Sequence, residues 1–232
     1  MNIYKVKICG TTSVEDALMI AEAGADYSGI AVEIPHSERA VTVEKAAAIV
    51  RATPILSVVL FIDMPIEFIE SAVDMIKPFA VQLLGHESPE FVAKLKKLRG
   101  TKQSPCQVWK SICLPIRGQA RVHVNDIKNQ MDSFVSAGAD VLLLDTVDVS
   151  GDKLRFGGTG KTSDWNIARE LVKGFKTPVF LAGGINPDNV REAIQMVRPY
   201  GIDLCSGVES IKGKRDHEKV NRLMQNLACF RK

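Results

Sequence analysis

Cys9 and Asp145 are the residues of this chain best suited to moving protons. Cys9 closes the apolar run in KVKICG and is followed at once by Gly10, and Asp145 closes the run VLLLD. A thiolate can take a proton and a carboxylic acid can give one, so a fold that brings the two to one cavity makes an acid–base pair. Each also has a plainer use. A buried cysteine is a small hydrophobe, and an aspartate at a strand end accepts backbone hydrogen bonds. Lys7 alternates onto the face of Cys9 one layer deeper, where it needs a partner and could lower the thiol's pKa.

Anion-binding chemistry is suggested by three glycine-rich turns in the second half of the chain: FGGTGK (156–161), LAGGINPDNV (181–190) and CSGVES (205–210). Such turns let backbone N–H groups approach an anion closely, and the helix starts beyond them add partial positive charge. One glycine turn signals only a tight bend. Three in consecutive units indicate a phosphate cradle.

The elements that must position these residues follow one alternating pattern. Apolar or β-branched runs predict strands at 3–9, 27–33, 55–62, 79–84, 107–114, 141–145, 178–182 and 202–206. Amphipathic stretches predict helices at 13–24, 43–52, 66–76, 88–98, 125–137, 164–173, 187–197 and 216–228. Start signals are Ser13 with Asp16, Ser88 before Pro89, and Asn186 with Pro187 at the first helical position. The junction EAGAD (22–26) recurs half a chain later as SAGAD (136–140), with a related YGID at 200–203. In each, a glycine can take the left-handed conformation that ends a helix. Eight βα units predict an α/β fold, a single (β/α)8 TIM barrel spanning 1–232 as one domain. A doubly wound sheet is the rival, but no GxGxxG turn opens this chain.

In a barrel, chemistry sits where the strands end. Those ends read Cys9-Gly10, Glu33, Asp63, Leu84-Gly85, Leu114, Asp145, Gly183-Gly184 and Ser206-Gly207. The loops after strands seven and eight are where barrels commonly hold phosphate, which suits two of the three glycine turns.

Composition narrows the partners. In 232 residues, Lys+Arg is 30 against Asp+Glu 27, a net charge of +3 without a basic stripe, so nucleic acid is not expected. No apolar run reaches membrane-spanning length and the N-terminus lacks a signal peptide's features, so a cytoplasmic protein with no membrane partner is expected. Five scattered cysteines and four separated histidines form no CxxC or HExxH pattern, so neither disulfides nor a metal is expected. The expected partner is a small phosphorylated molecule.

KICGTTSVEDA, VQLLGHESP, LLLDTVD, GGTGKTSDW, LAGGINPDNV and GIDLCSGVES…KGKRDHEKV resemble, in that order, the motifs of the phosphoribosylanthranilate isomerases. The likeness runs over nearly the whole chain. It implies an Amadori rearrangement in tryptophan biosynthesis, converting N-(5-phosphoribosyl)anthranilate to 1-(2-carboxyphenylamino)-1-deoxyribulose 5-phosphate, with no cofactor. By that resemblance Cys9 is the general base and Asp145 the general acid. Arg39, in HSERAV (36–41), holds the anthranilate carboxylate, and Asp203 contacts substrate hydroxyls. Gly183, Gly184, Ser206 and Gly207 bind phosphate, and Gly158 and Gly160 shape the loop beside it. The pattern departs from the family at Leu84, where a histidine is usual, and at Glu33 and Glu38. These acidic residues would add negative charge beside an anionic substrate unless they face solvent. Two other readings stand beside this one: an isomerase of a different aminoaldose phosphate, and a phosphate-binding barrel without turnover.

Overall fold

Alternation of strand and helix closes on itself in three dimensions. The computed structural model describes residues 4–35, 37–100, 106–121, 123–148, 155, 156 and 160–230. Eight parallel strands, β1 (Lys5–Ile8), β2 (Tyr27–Val32), β3 (Leu56–Phe61), β4 (Ala80–Leu83), β5 (Gln107–Pro115), β6 (Val141–Asp148), β7 (Val179–Leu181) and β8 (Gly201–Leu204), pair in chain order. Because β1 pairs with both β2 and β8, the sheet is a closed barrel. Eight helices cover it: α1 (Val14–Glu22), α2 (Val43–Ala52), α3 (Ile66–Ile76), α4 (Pro89–Gly100), α5 (Val124–Ser136), α6 (Trp165–Val172), α7 (Val190–Val197) and α8 (His217–Leu227).

Local chemistry sets most of these boundaries. Ser13 Oγ caps α1 by accepting from Asp16 N at 3.1 Å, and Asp216 caps α8 by accepting from Lys219 N, also at 3.1 Å. Gly24 and Gly138, the glycines of the repeated AGAD, both have positive φ. The aspartates of the repeat serve the same purpose twice: Asp26 Oδ2 accepts from Val6 N and Asp140 Oδ2 from Val108 N, each tying a junction to the preceding strand.

Two expectations about junctions need correction. α7 starts at Val190, not at Pro187, because Asn186 Oδ1 accepts from Asp188 N at 2.8 Å and Asn189 N at 3.2 Å and so forms its own turn first. At the YGID junction the left-handed residue is Arg198, two positions before the motif, not Gly201. Gly201 is required for packing, since a Cβ there would lie 2.5 Å from the Phe180 ring.

Alternation divides the apolar residues between two cores. One lies between strands and helices and includes Ile8, Ile30, Val59, Leu142 and Leu204. The other fills the barrel's lower interior, where Trp109 meets Tyr27 edge to face and Phe180 at a tilt, with ring separations of 5.2 and 5.3 Å. This plug closes the barrel at the N-terminal ends of the strands and leaves the other end to polar residues.

Candidate active site

At the C-terminal ends of the strands the barrel opens into a cavity of about 480 Å³. Cys9 and Asp145 both line it, together with Arg39, Asp203, Gly183, Gly184 and Ser206. Residues far apart in the chain therefore share one wall. Gly207 and Gly160 do not reach it. Gly207 lets the β8 turn press on the β7 turn, with its α-carbon facing Asn186 and the Ile185 carbonyl. Gly158 lies outside the described residues. Gly160 stands at the exposed edge, although the next residue, Lys161, packs its backbone against Gly184.

Three strand ends depart from the expected ring. Glu33 and Asp63 take left-handed backbone conformations, with φ of 51° and 47°, and turn from the mouth. Glu33 then accepts from Val43 N at the start of α2, and Asp63 binds His86. On β5 the barrel-facing residue is Cys113, in register with Asp145, while Leu114 is buried in the outer core. Of the departures from the family pattern, Leu84 faces the cavity and Glu38, at its rim, pairs with Lys212 Nζ at 2.7 Å.

Cys9 is seated by two glycines. It continues the β1–β8 ladder, donating from its N–H to Leu204 O at 2.7 Å. On β2, a Cβ at Gly29 would stand 2.7 Å from Cys9 Sγ. The following Gly10 has φ of +79°, and a Cβ there would meet Arg39 Cδ at 2.8 Å and Cys205 Sγ at 3.0 Å. Glycine is therefore needed after the thiol for its conformation and for the room it leaves the neighbouring side chains.

Beneath Cys9, Lys7 Nζ is fully buried and donates to Asp203 Oδ2 at 2.8 Å. Burial works against the lysine's charge, but Asp203 and Cys9 outweigh it and hold the ammonium charged. Asp203 itself is pushed upward by burial, with Lys7 opposing. Its Oδ1, buried and facing no donor among the described residues, is free to accept from a ligand hydroxyl.

The ionisation of Cys9 runs against the expectation drawn from Lys7. A hydrogen bond with Cys205, followed by burial, pushes the Cys9 thiol well above its ordinary range, and Lys7 only partly offsets this. The same hydrogen bond, helped by Arg215 and Arg39 against burial, holds Cys205 low. Arg215 and Arg39 thus favour negative charge at Cys205, while Lys7 favours it at Cys9. Asp145 is pushed up to about 6, first by burial and then by the nearby Asp203 charge, against the Thr146 N–H that donates to its Oδ1 at 2.7 Å. That is the direction an acid needs.

Arg39 is oriented by a residue the motif spacing did not single out. Its Nε and Nη2 donate to the two oxygens of Glu209 at 2.8 and 2.7 Å. Glu209 also accepts from Arg215 Nη2 at 2.8 Å and Gly213 N at 2.9 Å. Burial raises the Glu209 carboxyl, but Arg39, Gly213 and Arg215 together bring it below its usual range. Arg215 further donates to Gly10 O at 2.7 Å and Cys205 O at 3.0 Å, joining the ends of β1 and β8. One edge of the Arg39 guanidinium is thus occupied, and the edge formed by Nη1 and the second Nη2 proton meets no acceptor among the described residues.

Gly29, Cys205, Glu209, Arg215 and Lys212 are the site residues that sequence reasoning missed. Some signals were present. A glycine inside YSGIAV marks a close approach, and Cys205 alternates with Asp203 as Cys9 does with Lys7. Among the described residues, no group of three or more His, Cys, Asp or Glu side chains is arranged to hold a metal ion, and no helix is long and apolar enough to cross a membrane.

Comparison with known proteins agrees with this geometry. Residues 6–226 match the family described as N-(5'phosphoribosyl)anthranilate (PRA) isomerase. The N-(5'-phosphoribosyl)anthranilate isomerase of Methanocella arvoryzae is 38% identical over 226 residues, covering 96% of this chain and 97% of its own. That of Aquifex aeolicus is 38% identical over 229 residues, covering 96% and 98%. Among solved structures, the phosphoribosyl anthranilate isomerase of Thermotoga maritima superimposes with a TM-score of 0.78 at 32% identity, over 97% of this chain and 99% of that one. A further isomerase structure, in complex with reduced 1-(o-carboxyphenylamino)-1-deoxyribulose 5-phosphate, has a TM-score of 0.76 at 30% identity over the same shares. With family motifs, closed barrel and cavity in agreement, this chain belongs to the N-(5'-phosphoribosyl)anthranilate isomerase family.

Proposed function

We propose that this chain, acting as one barrel domain, carries out its family's isomerisation of N-(5'-phosphoribosyl)anthranilate in tryptophan biosynthesis, with Cys9 as base and Asp145 as acid. The observation that carries the assignment is the meeting of these two residues in one cavity, with Asp145 pushed up to about 6.

Asp145 donates its proton to the furanose ring oxygen, the C1′–O bond opens and the anthranilate nitrogen forms a Schiff base. With a value about one unit below neutral pH, roughly a tenth of Asp145 carries that proton at pH 7. Cys9 then removes the C2′ proton, and the electron pair forms an enolamine that tautomerises to the ketone. The base needs its thiolate. That charge reaches Cys9 when its proton passes to Cys205, and the Lys7 ammonium, one layer below, compensates it. No redox partner enters this balance.

Binding follows from the remaining walls. The free edge of Arg39 suits the anthranilate carboxylate, with Glu209 holding the other edge in place. Asp203 Oδ1 accepts from a ribose hydroxyl. The phosphate lies at the turns that bring Gly183, Gly184 and Ser206 to the cavity. A side chain at Gly183 would collide with Thr146 Oγ1, so the backbone itself forms this wall. The free thiols suit the reducing cytoplasm as the place of action.

The test is turnover of phosphoribosylanthranilate, made in place from anthranilate and phosphoribosyl pyrophosphate and followed by its fluorescence. Wild type should turn it over, and Cys9→Ser should lower kcat by about 10²-fold or more with KM less affected. Unchanged kcat in the variant removes Cys9 from the mechanism. No turnover by folded, phosphate-binding wild type moves the substrate to another aminoaldose phosphate.

A further inference from the structure

We propose that Cys9 and Cys205 form an oxidisable dithiol, a modification site at which a hydroperoxide joins β1 to β8 through a reversible disulfide. The formation of the bond does not depend on the function assigned above; only its effect on activity rests on Cys9 being the base.

Register places the two sulfurs together. Lys7 pairs with Asp203 and Ile8 with Leu204, and the Cys9 N–H bond to Leu204 O carries the ladder one residue further, so Cys9 stands opposite Cys205. Adjacent strands lie about 4.8 Å apart. Disulfides span Cα separations of about 4.4–6.8 Å, so the bond needs little backbone movement. Both side chains point the same way, as the Lys7–Asp203 ion pair shows for the layer beneath. Cys205 Sγ sits close against Gly10, the residue after Cys9, and both thiols face the same cavity.

Access and a neighbouring second thiol coincide at this pair. Both cysteines line the open cavity, so a small peroxide reaches them by the substrate's route. Arg215 and Arg39 favour a thiolate at Cys205, which makes it the attacking sulfur. Elsewhere, Cys106 is buried, Cys113 is pushed up to about 12 by burial and by Asp145, and Cys229 is exposed near the end of the chain.

The chemistry balances with the hydroperoxide as oxidant. Cys205 thiolate attacks the peroxide, an S–O bond forms, the O–O bond breaks, and the departing alkoxide or hydroxide takes a proton from solvent. The Cys9 sulfur then attacks the sulfenic sulfur, the S–S bond forms, and the hydroxyl leaves as water with the Cys9 proton. Two thiols lose two electrons and the peroxide gains them. The bond removes the thiol that we assign as base, and a dithiol reductant restores it.

The test treats the reduced full chain with hydrogen peroxide, blocks residual thiols by alkylation, and maps the peptides by mass spectrometry. The expected result is a joined pair of peptides carrying Cys9 and Cys205, lighter than their sum by two hydrogens. Isomerase activity should fall about tenfold or more in step with the cross-link and return with dithiothreitol. In Cys205→Ser the cross-link should be absent, and the activity lost to peroxide, measured against that variant's own reduced rate, should no longer return fully. Peptides that stay unlinked while wild-type activity is lost, or a cross-link that joins Cys229 instead, would overturn the proposal. A Cys9–Cys205 cross-link in a protein whose reduced form has no turnover would uphold the disulfide and defeat the catalytic reading.

Discussion

Lys7 and Asp203 stand opposite each other in the β1–β8 pairing and are joined at 2.8 Å in the barrel interior, one layer beneath Cys9 and Cys205. The pair forms the charged floor of the cavity. It separates the aromatic plug below from the reacting groups above, and it leaves Asp203 Oδ1 available.

Lys7→Met leaves the Asp203 carboxylate buried without its counter-charge, and stability should drop by about 3–5 kcal/mol. Equilibrium urea unfolding measures this. Adding Asp203→Leu should recover most of the loss, because two apolar side chains need no charge compensation. A single variant as stable as wild type would show that water or another cation already solvates Asp203.

Gly29→Ala tests how tightly the thiol is seated. The added Cβ would stand 2.7 Å from Cys9 Sγ and 2.9 Å from its Cα, so the end of β1 must shift. A displacement near an ångström lowers kcat by about 10²-fold when the moved group is catalytic. Circular dichroism should remain that of the barrel. Normal kcat in the folded variant would mean that Cys9 need not occupy this position.

Asp145 makes stability depend on pH with a definite sign. Its folded value of about 6 lies above the ordinary 3.8, so between these values the folded state binds more protons than the unfolded one. Stability from this group is greatest at low pH and is lost as pH rises toward about 6. Asp145→Asn lacks the charge, and its advantage over wild type should grow across that window by about 1–2 kcal/mol, allowing for partial exposure. Unfolding midpoints measured at about pH 4, 5, 6 and 7 check this; a constant difference would place the carboxylate in water-like surroundings.

Glu209→Gln keeps the size of the residue that orients Arg39 but removes its charge. With one edge of the guanidinium less firmly held, KM for phosphoribosylanthranilate should rise about tenfold while kcat stays within about threefold. Steady-state kinetics separate the two. A fall in kcat at constant KM would place Glu209 in the chemical step instead.

Much of the architecture was legible because it is written in short-range patterns. Strand and helix periods, the Ser13 cap and the two AGAD junctions depend on contacts within a few residues, and the folded chain keeps them. The expected start of α7 failed for an equally local reason, since Asn186 and Pro187 also encode the side-chain turn that precedes the helix. Cys9, Asp145 and the glycine turns were recognisable as residues near the mouth, because a closed parallel barrel gathers all its strand ends there, although the strand of Asp145 runs on to Asp148 instead of ending at the aspartate.

Sequence by itself thus determined the order of elements and which strands bring Cys9, Asp145 and the glycine turns to the mouth. Tertiary structure alone decided their partners. Lys7 finds Asp203 across 196 positions and Arg39 finds Glu209 across 170. No spacing rule reaches that far, because these meetings depend on the register with which β8 closes onto β1. The same closure sets Cys205 beside Cys9 and within reach of the Arg215 and Arg39 charges, because burial and electrostatics act through space and not along the chain.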